Sequence, residues 1–298
     1  MLSILIPTYN YNIEALVHEL HAQSTACDID FEILCYDDGS KNIEFIEANS
    51  SINSLMHTTY KVLDSNIGRS AIRNLLAKDA KYDLLLFLDA DVIPVKNNFI
   101  SKYLNSISDS TNIIYGGIRY QEDPPEKKQL LRWIYGKKRE ALTVVKRNKN
   151  VYLSFLTLNF IIRKNTFNTV RFNEAIPNLR NEDTLFSYNL KQQKIPIVHL
   201  ENLVYHLGLE DSKTFLKKAI ESQDAMNLFL KDDLIDIKYT AITQTIYILK
   251  KIKLDRLFSI SHPFTKKIFK TNLLSKKPSL LIFDLYKLSY LCYISKNE

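Results

Sequence analysis

Leu84-Leu85-Leu86-Phe87-Leu88-Asp89-Ala90-Asp91 is the stretch on which the fold turns. Five consecutive apolar residues have the pattern of a strand covered on both faces, as in a sheet with helices on either side. Two carboxylates at the exit of such a strand are costly unless something cationic meets them. Upstream, residues 2–6 form an apolar run that stops at Pro7, and residues 13–20 carry apolar positions at helical spacing. Residues 31–36 form a second run, ending in Asp37-Asp38-Gly39-Ser40, and residues 60–63 a third. Residues 70–80 are helix-like, and 113–115 form a further run ending in Gly116-Gly117. This βαβα order predicts an α/β fold with a mostly parallel central sheet and helices on both faces. The polar punctuation falls at strand ends, where open α/β sheets bind their ligands.

Beyond that core the pattern changes. Residues 121–150 are irregular and rich in charge and aromatics (Pro124, Pro125, Trp133, Tyr135), and read as a long surface excursion. Strand character returns over 152–162, helix over 182–191 and a short strand over 195–200. Helical patterns follow at 211–230, 234–257, 263–270 and 278–295, with no glycine after Gly208.

The 298 residues hold 40 Lys+Arg against 33 Asp+Glu, a net +7. Residues 250–298 contain eleven basic residues against three acidic, a net +8, which leaves −1 for residues 1–249. A uniformly basic protein is therefore excluded, and an anionic surface partner is expected at the C-terminal end. Hydrophobic content of 46% with 24% charged residues argues against disorder. Cys27, Cys35 and Cys292 lack paired or metal-type spacing and read as reduced thiols of a cytosolic protein. No secretory signal pattern opens the chain, and no uncharged apolar run reaches the ~20 residues that span a bilayer. The expectation is a protein that does not cross a membrane but can lie on one.

Several polar groups at strand ends could carry chemistry, and each has a plainer reading beside it. Asp89 and Asp91 suit Mg²⁺ or Mn²⁺ together with phosphate oxygens, or form a polar turn with an Asp cap. Asp38 could accept a hydrogen bond from a base or a ribose, or belong to an ordinary Asp-Gly-Ser turn. Tyr9 offers a face for a planar base, or packs on the neighbouring helix. Arg69 and Arg73, one turn apart, could neutralise phosphate or form a solvated helix face. Asp183 could deprotonate a hydroxyl, whereas Glu182 and Asp183 also suit a helix N-terminus by dipole alone. His206 is either a ligand or a structural histidine.

Together, Pro7-Thr8-Tyr9-Asn10, Asp37-Asp38-Gly39-Ser40, Asn66-Ile67-Gly68 with Arg73-Asn74, Asp89-Ala90-Asp91 and Glu182-Asp183 resemble the ordered motif set of inverting GT-A glycosyltransferases of family 2. The resemblance covers residues 2–206 and continues to about 216. It implies a Rossmann-like GT-A catalytic domain over residues 1–230, with a basic helical extension over 231–298. It implies that Pro7 and Tyr9 border a uracil ring, that Asp38 hydrogen-bonds the base and that Arg73 contacts the nucleotide. Asp89 would lie near the ribose and reach the metal through water, with Ala90 also on the donor side. Asp91 would hold the divalent cation (Mn²⁺ or Mg²⁺), and His206 would complete its site. Asp183 would be the general base, with Glu182 beside it on the acceptor side.

The residue types suit that chemistry. A metal offsets the charge that builds on a diphosphate leaving group, and inversion by single displacement needs one base. Two carboxylates flanking the bond would indicate a hydrolase. Trp133 could stack on a sugar in a variable acceptor or lid region, or simply pack. Asn159, polar within an apolar run, is a candidate to face the acceptor.

The expected function is a metal-dependent inverting hexosyltransferase. It would move sugar from a UDP-sugar to a hydroxyl of a glycan or lipid-linked acceptor, in bacterial surface polysaccharide synthesis. Two alternatives are a non-catalytic membrane- or nucleic-acid-binding scaffold on a degenerate GT-A fold and a sugar nucleotidyltransferase. No nucleic-acid module is recognisable, so no nucleic acid partner is expected. The expected place is the cytoplasm, at the inner face of the membrane if the basic C-terminal helices meet anionic lipid. The competing reading docks those helices on the catalytic domain. Donor affinity is expected not to depend on the +8 tail.

Overall fold

The computed structural model describes residues 1–176 and 180–297. Its strands are β1 (Leu2–Thr8), β2 (Phe31–Asp37), β3 (Thr58–Val62), β4 (Leu84–Leu88), β5 (Val92–Pro94), β6 (Ile113–Tyr115), β7 (Ile118–Arg119), β8 (Asn159–Arg163), β9 (Ile197–His199) and β10 (Val204–His206). Seven form a sheet in the order β3-β2-β1-β4-β8-β6-β9, and three form a second sheet, β5-β10-β7. In the large sheet only β8 runs antiparallel to its neighbours. The mostly parallel α/β sheet with flanking helices is thus present.

Burial follows from the apolar runs. Ile4, Leu5 and Ile6 of β1 are fully buried, as are Leu85, Leu86 and Leu88 of β4, so both strands are covered on both faces. Parallel register aligns Thr8 with Asp37 and Leu5 with Phe87. The C-terminal ends of β1, β2 and β4 therefore open at one edge, carrying residues 7–9, 38 and 89 there together.

Two sequence expectations fail. Residues 152–158 are turns and irregular backbone, and β8 begins only at Asn159, where pairing with Leu88 of β4 starts. Phe155 is drawn into the core instead, edge-on to Phe160 at 5.1 Å between ring centroids. Residues 121–150 are not a surface excursion. They contain short helices at Leu130–Tyr135, Gly136–Glu140 and Val144–Arg147, and Leu131, Arg132 and Arg147 are buried. The Arg147 guanidinium donates to the carbonyls of Tyr115 at 3.2 Å and Leu200 at 3.0 Å, over the Tyr115 ring.

Asn159 does not face an acceptor. It is fully buried, donates from Nδ2 to the carbonyls of Gly117 (2.8 Å) and Asn202 (2.9 Å), and accepts from the Tyr103 hydroxyl at 2.7 Å. A polar residue in an apolar strand is here an internal brace, satisfied on every side.

Compactness groups the chain into two units. One comprises Met1–Tyr120, Ala141–Asn178 and Asn189–Gly208 and holds both sheets. The other comprises Gln121–Glu140, Leu179–Tyr188 and Leu209–Glu298, and its long helices are Ser212–Lys231, Ala241–Lys251, Asp255–Leu273 and Leu280–Asn297. Asp211 caps the first, accepting from the N–H groups of Lys213 and Thr214, and a Thr240–Thr243 capping box starts the second.

The last helix is core, not an interfacial segment. Phe283, Tyr286, Leu291 and Cys292 are buried, and Phe283 stacks on Phe215 at 5.4 Å. Apolar residues cover most of its circumference because protein packs on most of it, with Leu281 left 70% exposed. Truncation near Lys250 would therefore remove part of this unit's core, so the role of the tail's charge must be tested by substitution. Among the described residues no helix is long and apolar enough to cross a membrane.

His199 at the end of β9 gives this fold a pH signature. Its Nε2 lies 2.9 Å from the Val151 carbonyl, and its Nδ1 is buried without a hydrogen bond. Burial, with the charge of Arg147 acting the same way, holds its pKa down at about 4. The unfolded chain takes up this proton near pH 6.5 and the folded one only near 4, so stability present above 6.5 is lost as pH falls through that window. In urea denaturation, His199→Gln should flatten the loss between pH 6.5 and 4 by up to about 3 kcal/mol.

Candidate active site

A cavity of about 230 Å³ opens at the C-terminal ends of β1, β2 and β4. Pro7, Tyr9, Asp38, Arg73, Asp89, Ala90 and Asp91 all line it, together with Thr8, Tyr11, Arg69 and Ile72. The sheet register thus gathers every residue expected on the donor side, apart from the metal candidate His206, which comes to Asp91 by another route.

Three loops are locked around this cavity by backbone hydrogen bonds. Asn10, at φ +47°, donates its N–H to Ser40 Oγ at 2.6 Å, and its Oδ1 accepts from the N–H groups of Lys41 and Asn42. Asp37 accepts from the Ser40 N–H and from the Tyr60 hydroxyl. Gly39 stands at φ +73°, and a Cβ there would lie 2.8 Å from the Ser65 carbonyl carbon. Only glycine suits that conformation and that approach.

Asp38 is a brace as well as a lining residue. Its carboxylate accepts from the N–H groups of Ile67 at 2.6 Å and Gly68 at 3.0 Å, fastening residues 65–68. Burial pushes its pKa up, and these two N–H groups pull in the opposite direction. Gly68, at φ +93°, then leads into the helix Arg69–Asp79. Arg73 on that helix is buried and donates to Asp89 Oδ1 at 2.7 Å and to the Arg69 carbonyl at 3.3 Å. It therefore meets the first carboxylate at the exit of β4. Arg73 is buried, but the Asp89 side chain is 33% exposed, so solvent screens part of this pair.

Asp91 is met differently. The antiparallel pairing of β5 with β10 aligns Val92 with His206, and His206 Nε2 lies 3.5 Å from Asp91 Oδ2. The His206 ring packs against Tyr120, and its buried Nδ1 makes no hydrogen bond. Burial, and then the charge of Asp91, pushes the Tyr11 phenol pKa up. A Cβ on Gly208 would fall 2.1 Å from Asp91 Oδ2, so the bare backbone there makes room for the carboxylate.

A carboxylate and an imidazole at this spacing fit a divalent cation that takes its other ligands from phosphate oxygens and water. Asp89 does not complete a three-residue cluster with them. Among the described residues no group of three or more His, Cys, Asp or Glu is arranged to hold a metal. Asp89 is engaged by Arg73 instead.

The expected acceptor-side residues belong to the helical unit. Asn181, at φ +75°, precedes the helix Glu182–Gln192. Its Nδ2 donates to the Ser222 carbonyl at 2.6 Å, and the Ser222 hydroxyl donates to its Oδ1 at 2.7 Å. This reciprocal clamp, which the sequence alone did not suggest, pins the turn that presents Glu182 and Asp183. Half-buried Asp183 accepts from the Thr184 N–H at 2.7 Å. Trp133 is also half-buried: its indole N–H donates to the Gln121 carbonyl, and Lys137 lies 4.8 Å from its ring centroid. Tyr11 and Ile72 line the cavity without a sequence signal of their own.

Comparison with known proteins fits this geometry. The family described as Glycosyl transferase family 2 matches residues 3–171, more than half of the chain. A glycosyltransferase of Haemophilus influenzae, itself uncharacterised, is 26% identical over 205 residues, 67% of this chain and 75% of that protein. The chain spans only 29% and 36% of the length of two other curated relatives. A mannosyltransferase of Pyrobaculum calidifontis, solved with GDP-Man and Mn²⁺, shares the fold at TM-score 0.60 and 11% identity, over 99% of this chain and 86% of that one. S. aureus TarS 1-349, solved with UDP, does so at TM-score 0.54 and 17% identity, over 99% and 91%.

Gly208→Ala tests the space around Asp91 directly. The variant should fold, and its affinity for Mn²⁺ in the presence of UDP should fall by about tenfold or more by isothermal titration, as Asp91 is forced aside.

Proposed function

From the premise that this chain belongs to glycosyl transferase family 2 and is a glycosyltransferase, we propose that it is a metal-dependent inverting hexosyltransferase using a UDP-sugar. The acceptor is a hydroxyl of a glycan or lipid-linked sugar in bacterial surface polysaccharide synthesis, and the reaction takes place in the cytoplasm. The observation that carries the reading is the Asp91–His206 pair at the cavity between the ends of β1, β2 and β4. The ligands solved with the two structural neighbours, UDP in one and GDP-Man with Mn²⁺ in the other, support a nucleotide-sugar donor and a divalent metal.

Tyr9, half exposed at the cavity mouth, stacks on the base beside Pro7. Asp38 fixes the loop that walls the base and has lone pairs left to accept from it. Arg73 holds Asp89 in place, and Asp89 receives the ribose, next to Ala90. Asp91 and His206 hold Mn²⁺ or Mg²⁺, which when bound offsets charge on the diphosphate leaving group. Asp183 takes the proton of the acceptor hydroxyl, and Glu182 positions that acceptor. Trp133 offers the exposed part of its ring to a sugar. One base and one displacement invert the anomeric centre. The division proposed between a catalytic domain, 1–230, and an extension, 231–298, is one of function rather than of compactness.

Isothermal titration with UDP and Mn²⁺ tests the donor site. Wild type should bind, and Asp91→Ala should lose about 100-fold or more in affinity; unchanged binding in the variant would refute the assignment.

Asp183→Asn separates the base from the donor site. Turnover of the UDP-sugar should drop by a factor of about 100 to 10,000 while UDP affinity stays within about twofold, and full activity would exclude Asp183 as the base.

A further inference from the structure

The helix Asp255–Leu273 uses one face for packing and leaves another bare. Asp255, Ser259, His262 and Leu273 are buried, and His262 Nδ1 lies 2.9 Å from Ser289 Oγ on the last helix. On the other side Leu257, Ile260, Phe264 and Ile268 are 61%, 67%, 76% and 69% exposed. Their spacing of three, four and four residues sets them in one stripe along the helix. An isolated exposed leucine needs no explanation, but four large side chains aligned on one face do. The helix already has its core contacts, so this stripe is not required for folding.

Charge identifies what the stripe meets. By helical geometry Arg256, Lys267 and Lys270 run along one edge of it, and all three are exposed. Ile248, Ile252 and Leu254, also exposed, lie on the helix and turn leading into this one, interleaved with Lys250, Lys251 and Lys253. Residues 248–277 carry nine basic residues against one acidic. That one, Asp255, is paired with Lys296 at 3.0 Å. A second copy of the chain would bring the same dense positive charge against this face and be repelled. An apolar stripe edged by lysine and arginine instead matches a bilayer surface, with acyl chains for the stripe and anionic headgroups for its edge.

We propose that the helix Asp255–Leu273 is a docking face for an anionic lipid bilayer. Leu257, Ile260, Phe264 and Ile268 enter the interface, and Arg256, Lys267 and Lys270 contact headgroup phosphates. The expectation left open whether the basic C-terminal helices meet lipid or dock on protein; the last helix is packed in the core, and the exposed stripe lies on the helix before it.

The test is flotation of the full chain, without any nucleotide, on vesicles of phosphatidylcholine alone or mixed with phosphatidylglycerol. Its outcome is therefore independent of transferase activity. The protein should float with the mixed vesicles at low salt, release as salt rises, and stay down with phosphatidylcholine alone. Phe264→Glu with Ile268→Glu should weaken partitioning by about tenfold or more while thermal unfolding stays unchanged. Lys267→Gln with Lys270→Gln should weaken it less, lower its salt dependence, and decide the matter should the first variant not fold. Equal flotation of both variants, or no flotation of wild type on the mixed vesicles, would overturn the proposal. So would sedimentation of the wild type as a dimer that the glutamate variant makes monomeric.

Discussion

Burying β4 on both faces is the constraint from which the rest of this site follows. The strand is apolar to its last residue and then delivers two carboxylates at its exit. Both carboxylates are only half-buried, about one-third exposed, and a charge partly withdrawn from water is stabilised by a charged or hydrogen-bonding partner. Each carboxylate therefore has its own solution. Asp89 is met by Arg73, which the Gly68 turn and its helix carry to the strand end. Asp91 is met by His206, which the β5–β10 ladder brings alongside. The first solution is complete within the protein. The second is a carboxylate and an imidazole 3.5 Å apart at the cavity, an arrangement that fits a divalent cation taking its other ligands from elsewhere. Stability and chemistry at this edge of the sheet are thus set by the same interactions.

The loops at the strand ends act as one assembly. Asn10 holds the loop after β2, and Asp38 holds residues 65–68. A shift in any of the three loops would move the others, and with them the ring of Tyr9 and the guanidinium of Arg73. In the helical unit a comparable device sets the base candidate: Asn181 and Ser222 fix the turn before Asp183 by two reciprocal hydrogen bonds. Both devices use short polar side chains, mostly on backbone groups, which cost little side-chain entropy.

The fold was legible where local pattern and burial agree. β1, β2 and β4 are apolar runs closed by polar residues, and they lie where those runs end. Residues 152–158 misled because apolar and aromatic residues suit turns packed on a core as well as strands, and only a ladder partner separates the two. Residues 121–150 misled because Arg147 looks solvated by type, yet backbone carbonyls and the Tyr115 ring surround it. Asn159 looked like a ligand contact because its three partners come from other parts of the chain. Whether protein or lipid covers the apolar residues of the last helix depended on the neighbouring helices, and Phe283, Tyr286 and Leu291 are buried among them.

By itself the sequence determined the apolar runs that become β1, β2 and β4, which residues leave those strand ends, and that a +8 charge gathers near the C-terminus. These follow from periodicity and composition, properties of neighbours along the chain. Tertiary structure alone decided that Arg73 belongs to Asp89, that Gly208 makes room for the Asp91 carboxylate, that Asn159 is a brace, and which C-terminal helix shows its apolar face to solvent. Each of these depends on groups brought together from distant parts of the chain, and no local periodicity encodes which distant partner will satisfy a buried charge or cover an apolar stripe.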